Sequence, residues 1–495
     1  TAVAPATYQP AEFEGVEGAA FHLVVYPSYR FFDGRTANRP WLLELPDPVT
    51  KVSWESWVEI HPEAARELGI DQGQYLEVTS PYGSVTAPAY IWPGVRRDTV
   101  AIQTGLGHAG FGRFTEGRGV NPNALLGVRT DPATGAFASY GVRVRVTPTG
   151  KDSRLRQGLF EGGVRVQHDR ALAQAVSVAA LQAADAHGQG AVPGTEQEIH
   201  PLKGNGGFAP VPTTTDPAAY PSPGTHYGEY VETEQRWAMT VDLSRCIGCS
   251  ACVVACYAEN NIPVVGPEEI KKGRELTWLR IERYFGVGRD DREAYRDEAT
   301  DDVRFLPMLC QHCGNAPCEP VCPVYAAYHT PDGLNGQVYN RCVGTRYCAN
   351  NCPYKVRYFN WFTYDFPTPL NWQLNPDVTV REKGVMEKCT FCVQRIHEAR
   401  RGAAIENRPM RDGEVVPACV QTCPTEVFTF GDIADPNSTV AKTARSNRSY
   451  RALDALNTQP AIVYLKKVTL GEPRNGGHAD HAGAEHDAGA AAGAH

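Results

Sequence analysis

The chain has 495 residues, 42% hydrophobic and 21% charged, an ordinary globular composition with room for two or three domains. Its 48 basic and 56 acidic residues give a net charge of −8, which leaves no basic footprint for nucleic acid. No apolar run reaches the roughly eighteen residues a membrane-spanning helix needs, so membrane contact has to come through a partner.

The sequence starts at Thr1 in loop-like text without an initiator Met or signal peptide, which suggests a processed chain or the later part of a longer polypeptide. Residues 1–40 form an N-terminal extension, with Phe21–Tyr26 as a strand and Ser28–Pro40 as a polar loop. Residues 41–150 are more regular. Trp57–Ile60 reads as a strand, and His61–Leu68 as a short helix with proline in its first turn and Gly69 as its stop. Strands follow at Tyr75–Thr79, Val85–Ile91, Val100–Ile102 and Val142–Val146, separated by tight turns, and together they suggest a closed β-barrel. Residues 151–235 are an extended linker carrying one helix, Ala171–Ala186, interrupted by Gln174, Gln182 and Asp185. The domain at 236–470 opens on a strand, Trp237–Asp242. It continues through a strand at Leu276–Glu282, a charged solvated loop at 290–302 and an aromatic, basic stretch at Tyr354–Phe362. A helix at Val393–Arg401 and closing strands at Phe428–Gly431 and Ala461–Leu465 complete it. The tail, 471–495, reads as disordered, with His478, His481, His486 and His495 solvated rather than metal-bound.

All fifteen cysteines lie between Cys246 and Cys423. The first group, Cys246, Cys249, Cys252 and Cys256, has the CxxCxxCxxxC spacing of bacterial ferredoxins. The second is Cys310, Cys313, Cys318 and Cys322, the last followed by Pro323. The third is Cys342, Cys348 and Cys352, with Pro353 next. The fourth is split, Cys389 and Cys392 and then Cys419 and Cys423. Thiolates at this spacing cap three corners of an iron–sulfur cube, while a fourth, proline-flanked cysteine reaches a different cluster, so four groups imply four clusters. Four cubes need sixteen thiolates. The missing one falls at Thr345, where the third group calls for its second cysteine. A hydroxyl is a poor iron ligand, which favours a 3Fe-4S cluster there; water, hydroxide or Thr345 itself completing a fourth 4Fe-4S cluster is the alternative. Zinc ribbons and a disulfide framework explain the spacing and the odd count less well.

Two resemblances add to this reading. Val58-Glu-Ile-His-Pro-Glu-Ala-Ala65, Leu68-Gly-Ile-Asp-Gln-Gly73, Val78-Thr-Ser-Pro-Tyr-Gly83 and Gly105-Leu-Gly-His108 with Asn121-Pro-Asn123 resemble the C-terminal domain of molybdopterin oxidoreductases. That domain is a double-psi β-barrel covering one end of the pterin. The domains that hold the metal in that family have no counterpart here, so no molybdopterin is expected in this chain, and His108 and Asn123 read as loop-capping residues. Residues 236–470 resemble the four-cluster electron-transfer subunit of the DMSO, polysulfide and nitrate reductase families. Glu387-Lys-Cys-Thr-Phe-Cys392, Phe430-Gly-Asp-Ile433 and Thr458-Gln-Pro460 add to the cysteines in this. The fold class implied is multidomain, a double-psi β-barrel followed by an α+β tandem ferredoxin-like domain.

The second resemblance implies a ligand exchange. Cys246, Cys249, Cys252 and Cys423 would hold a first 4Fe-4S cluster, and Cys389, Cys392, Cys419 and Cys256 a second. Cys310, Cys313, Cys318 and Cys352 would hold a third, and Cys342, Cys348 and Cys322 the 3Fe-4S cluster. Barrel and clusters in one chain resemble the large iron–sulfur subunit of alternative complex III. The resemblance implies an electron-relay subunit without catalytic residues, on the periplasmic face of the bacterial membrane. Its implied partners are a quinone-binding integral membrane subunit and multihaem and monohaem cytochrome c subunits. The alternative is the electron-transfer module of a molybdopterin reductase acting on polysulfide, tetrathionate or DMSO. Arg245, Arg341, Arg346, Lys355, Arg357 and Lys388 flank the cysteines and either raise cluster potentials or serve as exposed partners of local carboxylates.

Overall fold

A computed structural model describes residues 13–131, 134–152, 167, 170–186, 235–285 and 302–471. The expectations for residues 1–12, most of the linker, the charged loop at 290–301 and the tail lie outside the described residues.

Seven strands build the first half: β1 (Glu14–Gly15), β2 (Phe21–Tyr26), β3 (Val58–Ile60), β4 (Gln74–Ser80), β5 (Gly83–Ile91), β6 (Thr99–Gln103) and β7 (Val142–Asp152). They run in the order β1-β7-β2-β6-β3-β5-β4, and a further β7–β4 pairing closes β2 to β7 into a six-stranded barrel. Closure removes the exposed edges that an open sheet would present. Alternation sets the inside: Leu76 and Val78 are buried while Glu77 between them is exposed, and Val58 and Ile60 face the same core. The helix Pro62–Glu67 starts where His61 Nδ1 accepts the Glu63 N–H at 3.2 Å, with Pro62 in its first turn.

One boundary differs from the sequence reading. Phe21–Tyr26, assigned to an N-terminal extension, is a barrel stave pairing parallel with β6 and antiparallel with β7. Ser28–Pro40 is a loop, exposed at Tyr29, Phe32, Asp33 and Arg35, but it is anchored from beneath, since Phe31 and Ala37 are buried with Leu43, Trp54, Leu106 and Ile270. This cluster joins the halves of the molecule, because Ile270 lies beyond the barrel.

The second half has little regular structure. A four-stranded sheet places β8 (Trp237–Asp242) between Phe428–Asp432 and Ile462–Leu465, with Ser449–Tyr450 at the edge. Strand β8 pairs antiparallel with the first and parallel with the second. A hairpin of Leu279–Phe285 and Val303–Leu309 stands beside it, in register from Leu279↔Leu309 to Phe285↔Val303. The sequence placed that first strand three residues early. The expected helix Ala171–Ala186 is shorter: Ala175–Ser177 is a strand paired with Lys467–Thr469, and only Val178–Ala186 is helical. Helical geometry is denied to the earlier residues because their carbonyls are already taken. Tyr450 donates its hydroxyl to Leu172 O at 2.8 Å, and Arg304 donates to Ala173 O at 2.9 Å.

Among the described residues no helix is long and apolar enough to cross a membrane.

Candidate iron–sulfur centres

Short turns, not long elements, carry the cysteines. Three of them open one repeated turn, Cys322-Pro-Val-Tyr325, Cys352-Pro-Tyr-Lys355 and Cys423-Pro-Thr-Glu426. In each, the last residue takes a positive φ (52°, 52° and 51°) and donates its N–H to the cysteine carbonyl at 3.3 Å. The next N–H then points at sulfur, Ala326 N to Cys322 Sγ at 3.1 Å and Val427 N to Cys423 Sγ at 3.3 Å. Phe391 N lies 3.4 Å from Cys389 Sγ, and Met386 N 3.4 Å from Cys342 Sγ. Rows of N–H groups aimed at sulfur stabilise a thiolate or a metal-bound sulfur.

None of the fifteen cysteines is in a disulfide. They come together in four sets. Cys252 feels the charge of Cys246, Cys249 and Cys423. Cys419 feels Cys392, Cys389 and Cys256. Cys313 feels Cys310, Cys318 and Cys352, and these four line one small cavity. Cys322, Cys342, Cys348 and Thr345 line another. Thr345 also repeats the backbone of Cys249. Gly248 and Ser250 around Cys249 have φ of 73° and 58°, and Gly344 and Arg346 around Thr345 have 72° and 63°.

The sets follow one another. Cys252 of the first set and Cys256 of the second share one helix, Ala251–Glu259, one turn apart. Cys389 of the second feels Cys310 of the third. Arg357 faces Cys318 and Cys310 of the third and Cys348 of the fourth. Exposure varies along this row. Cys246, Cys249 and Cys423 at one end and Cys322 and Cys342 at the other are partly exposed, and every other cysteine is buried.

Burial and neighbouring sulfurs push the Cys252, Cys256, Cys313 and Cys419 thiols well above the ordinary range. Burial likewise pushes Cys318 and Cys389 up to about 12 and Cys246 up to about 11. Cys322 alone is held low: burial opposes this, but the N–H groups of Ala327, Val324 and Ala326 prevail. Crowded buried thiols resist ionising together, and a bound cationic metal core reverses that balance. Among the described residues no three His, Cys, Asp or Glu side chains are set around a single metal ion. Thiols gathered in fours, or in three beside Thr345, with backbone N–H groups aimed at them, are a donor set that suits an iron–sulfur cluster.

The flanking cations divide. Arg245, Arg341, Arg346 and Lys355 are exposed, and Arg245 pairs with Glu426 at 3.4 Å. Arg357 and Lys388 are buried, Lys388 donating to Cys389 O at 2.8 Å. The sequence reading missed His312 and Asn260. His312 lies buried between Cys310 and Cys313, its ring stacked on Phe391 with centroids 3.9 Å apart. Its Nδ1 accepts the Asn335 N–H at 3.1 Å, so the buried Nε2 carries the proton of the neutral ring. Asn260 Nδ2 lies 3.5 Å from Cys256 Sγ and 4.0 Å from Cys392 Sγ. Its position four residues after Cys256 in an N-N pair was the available signal. In the barrel, the cap expected from Asn123 comes from Asn121, whose side chain accepts the Asn123 N–H at 3.1 Å. His108 Nε2 is buried without a partner among the described residues, so it caps no loop through that atom.

This fold and these cysteine sets define an iron–sulfur protein of the ferredoxin kind, joined to a β-barrel. Family models agree: residues 21–143 match the molydopterin dinucleotide binding domain, and residues 245–326 and 301–367 each match a 4Fe-4S dicluster domain. The chain is 40% identical over 242 residues to the iron–sulfur cluster-binding subunit of menaquinone reductase from Nitratidesulfovibrio vulgaris, covering 48% of this chain and 91% of that one. It is 35% identical over 255 residues to Hdr-like menaquinol oxidoreductase iron–sulfur subunit 1 from Archaeoglobus fulgidus, covering 48% and 86%. A tetrathionate reductase subunit from Salmonella typhimurium is 33% identical over 246 residues, covering 49% and 76%. The chain belongs to the family of oxidoreductase iron–sulfur subunits that these proteins represent.

Proposed function

We propose that this chain is the electron-relay subunit of a respiratory quinol oxidoreductase of the alternative complex III type, on the periplasmic face of the membrane. Its partners would be a quinone-binding membrane subunit and multihaem and monohaem cytochrome c subunits. Cys246, Cys249, Cys252 and Cys423 hold one 4Fe-4S cluster; Cys256, Cys389, Cys392 and Cys419 a second; and Cys310, Cys313, Cys318 and Cys352 a third. Cys322, Cys342 and Cys348 hold a 3Fe-4S cluster at the corner-deficient site beside Thr345. Bound clusters supply one-electron chemistry at each site. Quinol oxidation releases two electrons and two protons at the membrane partner, and the electrons leave singly to haem, with no bond made or broken by a side chain here.

The observation carrying this reading is the gradient of exposure along the row. The end sets reach the surface, where electrons can enter and leave, and the middle sets are sealed from water. The buried cysteines and their N–H donors fix each cluster's surroundings, which is how a protein sets a potential. The barrel match keeps a second reading in view, the relay of a molybdopterin reductase.

Elemental analysis with EPR of the purified complex separates the two. About fifteen iron atoms per chain, a 3Fe signal in the oxidised protein and no molybdenum are expected. The Thr345→Cys variant should convert that signal to a 4Fe one. One molybdenum per chain overturns the first reading, and zinc in place of iron overturns both.

A further inference from the structure

Arg357 is buried at 5% exposure, beside the third cysteine set. Its Nη1 donates to Asn335 Oδ1 at 3.0 Å and lies 3.6 Å from Cys318 Sγ, and its Nη2 donates to Gln337 Oε1. Its Nε–H is buried without a hydrogen-bond partner among the described residues, and the side chain lines the cavity ringed by that set. The sulfurs that feel it come from two sets, Cys318 and Cys310 of the third and Cys348 of the fourth, and its partner Gln337 lines the space ringed by the fourth. A guanidinium keeps its charge under all ordinary conditions and costs several kcal/mol to bury uncompensated. Here its hydrogen-bond partners are two neutral amide oxygens and sulfur, so the anionic sulfur sets on either side are what balance it.

Asn335 holds the arrangement. Its backbone N–H fixes the His312 ring in the loop of the third set, its Oδ1 accepts from Arg357, and its Nδ2 donates to Glu319 Oε1 at 2.6 Å. Glu319 in turn meets His329 Nδ1 at 2.6 Å. With its Nδ2 engaged on Glu319, the amide is turned so that Oδ1 faces the guanidinium, 3.7 Å from Cys318 Sγ.

We infer that Arg357 is a shared tuning charge between the third and fourth cluster sites, held in place by Asn335, and that it raises the potentials of both. The inference rests on the cluster assignment given above. A fixed positive charge favours the more negative, reduced state of any centre beside it, and the effect decays with distance. The third and fourth centres therefore shift together, while the first and second, held by other cysteines, stay where they are.

The test is a redox titration followed by EPR, on the intact complex, of wild type, Arg357→Gln and Arg357→Lys. Iron content and the number of EPR-active centres in wild type come first; if clusters are absent, the cluster assignment fails, and this inference with it. With clusters present, Arg357→Gln, which keeps polar donors but removes the charge, should lower the midpoints of the third and fourth centres only. Arg357→Lys should restore most of the difference. Unmoved midpoints, or an equal shift in all four centres, overturn the inference. Should Arg357→Gln fail to assemble, wild-type protein carrying 15N-arginine decides: pulsed EPR of the third centre should show a 15N coupling through the N–H···S contact, and no coupling overturns the inference.

Discussion

In the barrel, Val58, Ile60, Leu76, Val78, Val100, Ile102, Val142 and Val144 meet inside a closed backbone ladder, and nothing but side chains and hydrogen bonds is required to hold them. In the other half the largest core cluster counts cysteines among its members, from Cys252 and Cys256 to Cys389 and Cys419. Two of its cysteine-bearing helices, Tyr347–Asn351 and Ala418–Thr422, are little more than a single turn, too short to be stable by themselves. The barrel's stability is written in apolar alternation; the other half relies on what its thiols bind, because metal binding there is part of the folding free energy.

The largest effect expected from this contrast is on removing iron. Chelation under reducing conditions should unfold the cysteine-bearing turns and leave the barrel amides protected. Hydrogen exchange followed by mass spectrometry checks this: 245–430 should exchange rapidly and β2 to β7 slowly. Equal loss of protection in both halves would mean that the barrel, too, depends on the clusters.

A smaller effect belongs to a buried ion pair that braces the metal-bearing half independently of metal. Arg381 and Glu387 meet at 3.0 Å with both side chains fully buried. Glu387 also accepts from Trp278 Nε1 at 3.1 Å and Asn360 Nδ2 at 2.8 Å, and Arg381 donates to Asn260 O at 2.7 Å. Arg381→Met leaves the carboxylate buried and unpaired, which costs about 3–5 kcal/mol. Chemical denaturation of the holoprotein should show that loss in the unfolding of the second half, and adding Glu387→Gln should recover part of it. No loss from the single variant would mean water reaches the pair.

Much of this contrast is legible in the sequence. Cysteine spacing is local, so it marked four groups and the gap at Thr345, while the exchange of ligands between groups came only from the resemblance. Short apolar runs between turns marked the barrel staves except Phe21–Tyr26, which read as a strand outside the barrel. What it could not separate was burial. Arg245 and Arg357 both sit near cluster cysteines, yet one is exposed on a carboxylate and the other is buried on Asn335 and Cys318, a difference set by chain segments far away. Ser28–Pro40 is polar in text but partly buried in the fold because Phe31 and Ala37 share a cluster with Ile270. The stretch after it, Trp41–Ser56, gave no periodicity to read because it serves two cores: Leu45 joins that of the cysteine half, and Leu43 joins the cluster between the halves.

That stretch is where the two halves can be made to report on each other. The Glu44 carboxylate is buried at 3% exposure and accepts the N–H groups of Val265 and Gly266, at 3.1 Å and 2.8 Å, across the boundary. Burial raises its pKa from 4.5 to about 7, against the pull of those two N–H groups. A carboxyl whose folded pKa is raised contributes its full stability below the unfolded value and loses it as pH rises through the folded one. The contact between the halves should therefore weaken between pH 4.5 and about 7 and stay level above that, a change of about 3 kcal/mol at most. Glu44→Gln removes the titration and forfeits one acceptor. The difference between wild-type and variant melting curves isolates this group from every other carboxylate. It should be pH-dependent in that window and flat outside it, with the variant gaining on wild type as pH rises. Parallel curves across the window would show that the carboxylate stays hydrated, and that the halves are held by their other contacts, the Phe31–Ile270 cluster and Leu45 among them.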